Sequence, residues 1–215
     1  MEITPLGDSA LIVRVRDEFE SNPEETLNAV LAAQQRLEAA RLPGAIELAP
    51  GYTTVAFFYN PAAAAEAGAP AEDIFGWYAK QIRVALSSVA GVGKPGRGQR
   101  QRMLSIEIPV CYADEFAPDL NDVAQQAGIS APEFVDLHCG ARYRVHCVGF
   151  IAGFPFLGGL PARLATPRRS TPRTEIPAGS VGIGGAQTGI YPVKSPGGWN
   201  VIGRTPLRLF DPEKN

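Results

Sequence analysis

Apolar positions up to residue 90 follow two periods. Leu11-Ile12-Val13-Arg14-Val15 and the run Tyr52 to Tyr59 are β-branched and aromatic, which predicts strands, and Ala45 to Leu48 is a shorter strand ahead of a Pro50-Gly51 turn. Between them Leu27, Val30, Leu31 and Leu37 make one apolar helical face. Asn22 suits the N-cap of that helix, Pro23 its N1 position and Glu25 its N3 position, and Pro43-Gly44 ends the pattern. A second helix is predicted from Ala71 to Val89, with Ile74, Tyr78, Ile82 and Ala85 at helical spacing. The order strand, strand, helix, strand, strand, helix predicts an α+β domain over 1–90, its helices covering one sheet face.

The pattern lapses at Gly91 to Arg102, which is rich in glycine and arginine and lacks apolar periodicity; the expectation is a flexible linker over 91–102. A second domain over 103–215 opens with a strand from Met103 to Val110. Two short helices follow, Asp119 to Ala127 stopped by Gly128, and Ala131 to His138 capped by Ser130 with Glu133 as reciprocal partner. Thereafter turns are frequent: 13 of the 23 glycines and eight of the 19 prolines fall between His138 and Arg208. They separate short β-type runs such as Arg144 to Ile151, Val181 to Ile183 and Asn200 to Ile202, a pattern of barrels or sandwiches.

At 215 residues, 45% apolar and 20% charged, the chain has the composition of a folded protein rather than a disordered one. Its apolar runs are too short to span a membrane, and Glu2 stands where a secretory signal carries basic residues, so a cytoplasmic location is expected. Cys111, Cys139 and Cys147 are an odd number at unpatterned spacing, which predicts reduced thiols, with Cys111 and Cys147 as small buried hydrophobes. A net charge of −2 argues against a general nucleic-acid binder. That average conceals nine basic residues against one acid, Glu175, between His138 and Arg208, a local excess suited to an anionic ligand.

Several chemical motifs fail on inspection. A phosphate-binding P-loop at Gly93-Lys94 would need a glycine where Ser88 stands and a hydroxyl where Pro95 stands. Gly182-Ile183-Gly184-Gly185-Ala186-Gln187 begins like a dinucleotide fingerprint, but Gln187 replaces the last glycine and no helix follows, so a β-turn is expected. Ser180 lacks the strand-turn-helix context of a nucleophile elbow. His138-Cys139 and His146-Cys147 are the one potential metal constellation, and neighbouring strand residues point to opposite faces, which argues against zinc. His138 ends a helix, where an imidazolium would complement the dipole, or it belongs to a site. In Pro167-Arg168-Arg169-Ser170-Thr171-Pro172-Arg173, prolines stiffen a loop of cations suited to a carboxylate, phosphate or carbamate.

One ordered series covers nearly all of the second domain: CVGFIAGFPFLGGL from Cys147, the 167–173 loop, PAGSV from Pro177, QTGIYP from Gln187 and SPGGWNVIGRT from Ser195. Gly7-Asp8-Ser9-Ala10 and Pro50-Gly51-Tyr52 extend it more loosely to the N-terminal half. The series resembles the KipI / allophanate hydrolase subunit 1 family, to which the B subunits of bacterial ATP-dependent 5-oxoprolinases belong. Ala152 departs from the proline usual there, removing stiffness but no functional group.

The resemblance implies an N-terminal ferredoxin-like domain followed by a mainly-β cyclophilin-like barrel. It also implies a subunit inactive alone, which works with a C-type subunit of the allophanate hydrolase subunit 2 family and an A-type subunit of the LamB/YcsF family. The set would hydrolyse 5-oxo-L-proline to L-glutamate with ATP and Mg used through the complex, and no cofactor held tightly by this chain. Opening an unstrained lactam requires cations to stabilise developing negative charge, and the implied candidates are Arg168, Arg173 and Arg204. Ser180, Gln187 and His138 are candidates for hydrogen bonds to substrate, with Tyr191 and Trp199 walling the pocket. Phe154, Pro155, Gly197 and Gly198 shape the backbone. The same family holds an inhibitor of a sensor histidine kinase and subunits related to allophanate hydrolase and urea carboxylase, which gives a regulatory and a second enzymatic alternative. A peptidyl-prolyl isomerase rests on fold analogy alone.

Overall fold

The computed structural model describes residues 1–19, 22–87 and 105–213, and the chain divides into two compact units, Met1–Leu104 and Ser105–Asn215. The expected linker at 91–102 lies outside the described residues. The architecture is mixed α/β, and every strand pairing in it is antiparallel.

In the first unit, strands β1 (Glu2–Pro5), β2 (Ala10–Arg14), β3 (Ala45–Gly51) and β4 (Thr54–Tyr59) form one sheet in the order β1-β2-β4-β3. Helix α1 (Pro23–Ala40) starts where the residues dictate: Asn22 Oδ1 accepts the Glu25 N–H at 3.3 Å, and Pro23 occupies the first turn. Leu27, Val30 and Leu37 are buried as expected, joined by Thr26 and Ala33. A short helix, α2 (Pro61–Glu66), capped by Asn60, adds to the expected elements; its alanine run carries no amphipathic signal. Helix α3 (Ile74–Ser87) starts three residues later than expected, and Tyr78 and Ile82 enter the core. Alternate residues of β2 and β4, namely Leu11, Val13, Val55, Phe57 and Tyr59, meet the helices there.

In the second unit, α4 (Leu120–Gln126) and α5 (Ala131–Gly140) precede β5 (Arg144–Val148), β6 (Pro155–Gly158), β7 (Arg173–Ile176), β8 (Ser180–Gly184), β9 (Gln187–Ile190), β10 (Ser195–Gly197) and β11 (Asn200–Arg204). Five strands form a sheet ordered β11-β8-β9-β6-β5, and β10 pairs with β7 as a ribbon. The strand expected from Met103 to Val110 does not form over its described part: residues 105–110 are irregular, and Cys111 alone bridges to Arg204. Pro109 removes a ladder donor there, and the side chains of 105–107 are exposed rather than packed. Ser130 caps α5 by accepting the Glu133 N–H at 3.3 Å, but the Glu133 carboxylate pairs with Arg163 at 2.8 Å instead of returning to the cap. Gly128 stops the preceding helix at φ 66°.

The run 182–187 is the end of β8, a turn at Gly185 and the start of β9. Gly184 is glycine for packing, since a Cβ there would lie 2.6 Å from Trp199 Nε1.

Candidate functional site

The residues singled out from the sequence fall into three groups. The first centres on Asp119, which sequence reasoning did not select. Asp119 precedes α4 at the N-cap, yet its side chain makes no cap bond. It is instead buried and accepts four hydrogen bonds: from Arg169 Nη1 at 2.8 Å, from Arg173 Nη1 and Nη2 at 2.7 Å each, and from the Val201 N–H at 2.7 Å. The cation loop is thereby tied to β11, with Asn200 Nδ2 donating to the Pro167 carbonyl at 2.9 Å as a second tie. The hydrogen bond to Asp119 holds the Arg173 guanidinium above its usual range, against the opposing effect of burial.

Arg168 remains exposed in the same loop and lies 5.8 Å from the Trp199 ring centre. Trp199 and Tyr191 are themselves buried in an aromatic cluster with Phe154, Ile176 and Val201. Burial raises the Tyr191 phenol, while the Trp199 backbone N–H and the charges of Arg168 and Arg173 oppose that shift. Arg168, Arg173, Tyr191 and Trp199 are therefore one neighbourhood, in which the two aromatic rings belong largely to the core.

The second group surrounds His138. Thr188 Oγ1 donates to the Gly182 carbonyl at 2.9 Å, so its oxygen is left to accept from His138 Nε2–H at 3.3 Å. His138 Nδ1 must then be the unprotonated nitrogen, accepting the Tyr112 hydroxyl at 2.8 Å, and the Tyr112 oxygen accepts the Cys139 thiol at 3.4 Å. Burial lowers His138 to about 4, so of the two readings of this residue the helix-end imidazolium gives way to a neutral ring. Gln187 opens β9, one residue before Thr188.

The third group is a cleft of about 500 Å³ with Cys111, Phe116, Pro192, Arg204, Leu207 and Arg208 in its lining. Arg204 Nε donates to the Ala178 carbonyl at 2.9 Å, and its guanidinium lies 6.0 Å from the Phe116 ring centre. Ser180 pairs with Arg204 across β8 and β11 but is buried in the sheet. One wall depends on Gly179, at φ 82°: Thr205 N–H donates to its carbonyl at 2.9 Å, and a Cβ would collide with the Thr205 carbonyl oxygen.

The cysteines correct one expectation. All three are free, but Cys111 is exposed and Cys147 only half-buried. Cys111 sits at an isolated bridge beside the cleft, outside any continuous strand that would cover it. Among the described residues, no group of three or more His, Cys, Asp or Glu side chains is placed to hold a metal ion. No described helix is long and apolar enough to cross a membrane.

A family model described as carboxyltransferase domain, subdomain C and D, matches residues 1–215. The chain belongs to this carboxyltransferase-domain family. Its relatives include the B subunit of 5-oxoprolinase from Bacillus subtilis, 40% identical over 223 positions that cover 100% of this chain and 86% of the relative. The corresponding 5-oxoprolinase chain of Haemophilus influenzae is 58% identical over 106 residues, covering 49% of this chain and 50% of that one. The solved structure of TTHA0988 superposes with a TM-score of 0.72 at 30% identity, covering 96% of this carboxyltransferase-domain chain and 36% of the larger protein. The resemblance drawn from the motifs of the second domain is thus borne out across the whole chain.

Proposed function

We propose that this chain is the B-type component of an ATP-dependent 5-oxoprolinase that opens the lactam of 5-oxo-L-proline to L-glutamate, and that it is inactive without its partners. The observation that carries the reading is the 40% identity to a 5-oxoprolinase B subunit from one end of this chain to the other. In this reading the first unit is ferredoxin-like and the second a cyclophilin-like barrel. The partners are a C-type subunit of the allophanate hydrolase subunit 2 family and an A-type subunit of the LamB/YcsF family.

Lactam hydrolysis adds water to an unreactive carbonyl, breaks the C–N bond and leaves a carboxylate and an ammonium. Within this chain, the contribution is electrostatic: held guanidiniums favour an anionic substrate and the negative charge that grows on the carbonyl oxygen. Arg204 is the best presented of them, because its Nε bond to Ala178 and its approach to Phe116 fix the plane while the cleft stays open. Arg173 is engaged with Asp119 and holds the loop that carries Arg168.

ATP, when bound in the complex, would supply a phosphoryl group to the amide oxygen, releasing ADP, and that group would leave as phosphate after water adds. The glycine-rich end of β8 and the turn after it do not fit a triphosphate, since the space at Gly184 is filled by the Trp199 indole, and nucleotide binding is assigned to the complex as a whole, with Mg. The need for partners also suits β5, an edge strand that leaves Val145 and Val148 exposed, followed by exposed Phe150 at φ 68°. Co-expression with A-type and C-type subunits and an assay of ATP-dependent glutamate formation tests the proposal; a full set that forms no glutamate from 5-oxoproline would refute it.

A further inference from the structure

We infer that the cleft beside Arg204 is a subsite for a compact monocarboxylate, and that it receives the carboxylate of the lactam substrate rather than a nucleotide. The inference rests on the function proposed above and adds to it the place on this chain where the substrate is held.

Four features carry it. First, Arg204 is an uncompensated cation: among the described residues no carboxylate lies within ion-pair distance of it, and its Nη groups have no protein partner. This differs from Arg169 and Arg173, both of which are ion-paired with the one carboxylate of Asp119. Second, the group is oriented before any ligand arrives. Nε donates to the Ala178 carbonyl and the ring of Phe116 lies 6.0 Å from the guanidinium carbon, so the outer fork of a planar donor is free for the two oxygens of a carboxylate.

Third, most of the remaining lining is apolar around a single further cation, and the hydroxyl of Thr205, the polar exception beside Cys111, accepts the Leu207 N–H at 3.3 Å. Phe116, Ala178, Pro192, Pro206 and Leu207 offer surface for a small ring, and Arg208, held to Asp211 at 3.2 Å, stands at the same cleft. Fourth, the lining contains no lysine, and Gly179, its one glycine, gives its N–H to the Tyr191 carbonyl at 2.7 Å. It therefore lacks the run of free backbone donors that cradles a triphosphate, and the charge present matches one carboxylate better than a nucleotide.

Cys111 provides the probe, because it is exposed and lines this cleft, while exposed Cys139 lies in the His138 network and serves as an internal control. The full chain is alkylated with iodoacetamide and the rate at each cysteine is read by peptide mass spectrometry. With 5-oxo-L-proline at about ten times its Kd, modification of Cys111 should slow about tenfold while Cys139 is unchanged. The neutral analogue 2-pyrrolidinone should give no protection at the same concentration. Arg204→Gln should raise the 5-oxoproline concentration that half-protects Cys111 about thirtyfold or more, and Arg204→Lys, which keeps the charge but loses the fork, should restore part of the affinity. A thermal melt of each variant separates lost binding from lost folding.

Unprotected Cys111 at saturating 5-oxoproline would overturn the inference, as would equal protection by 2-pyrrolidinone or protection by ATP in place of the carboxylate. None of those results touches glutamate formation by the reconstituted complex, so this inference and the proposed function can fail separately.

Discussion

Asp119 is the residue whose removal should be felt most, and its effect can be worked from its bonds. Asp119→Ala deletes a carboxylate whose side chain is 3% exposed and which accepts hydrogen bonds from two arginines and one backbone amide. Breaking a buried ion pair by removing one partner costs about 3 to 5 kcal/mol. The arginine side chains here are 34% and 27% exposed, so water takes over part of their solvation and the lower end applies, about 3 kcal/mol. The Val201 N–H, on a buried residue, contributes its share as an unsatisfied donor. For a unit the size of Ser105–Asn215, that corresponds to a fall in Tm of roughly 12 °C. Calorimetry or circular dichroism should show the transition of the second unit moving while that of the first stays in place. Asp119→Asn keeps the shape without the charge and should lose about half as much. A shift below about 2 °C for Asp119→Ala would refute the view that this carboxylate holds the cation loop to β11.

Three further outcomes follow from the same structure. Because burial lowers His138 to about 4 while the unfolded ring titrates near 6.5, its contribution is complete above pH 6.5 and is lost as pH falls toward 4, about 3 kcal/mol in all; urea titrations should show this slope flattened in His138→Gln. Gly184→Ala places a Cβ 2.6 Å from Trp199 Nε1 and should cost about 1 to 3 kcal/mol in chemical denaturation, with a change in Trp fluorescence; an unchanged midpoint would contradict the packing role. Arg168→Ala should alter stability by under about 0.5 kcal/mol, since the side chain is exposed, so a loss of turnover in the assembled complex at unchanged Tm would assign it to the reaction.

Local chemistry is legible in the sequence and distant chemistry is not. The Asn22 cap, the Ser130 cap and the Gly128 stop depend on residues at most three positions apart, and each is visible in the sequence. Asp119 meets Arg169 and Arg173 across separations of 50 and 54 residues, and its position ahead of a helix signals only a cap. A count of charges identifies the cation-rich stretch but cannot distinguish Arg173, ion-paired with Asp119, from Arg204, which is not. Thr188 falls within the QTGIYP motif and Tyr112 outside the quoted series, but neither position signals a partner for His138, although together they set its tautomer. Apolar alternation from Met103 to Val110 points to a strand, but Pro109 and the absence of a partner along most of that edge prevail over it in the described part.

The most direct test of the B-type assignment is a titration of this chain into fixed A-type and C-type subunits with 5-oxoproline and ATP, reading glutamate formed per unit time. No turnover is expected from this chain alone and little from the partners alone, with a rate that rises with added chain to a plateau at a fixed stoichiometric ratio. Turnover by this chain alone, or a partner activity unaffected by adding it, would contradict the account.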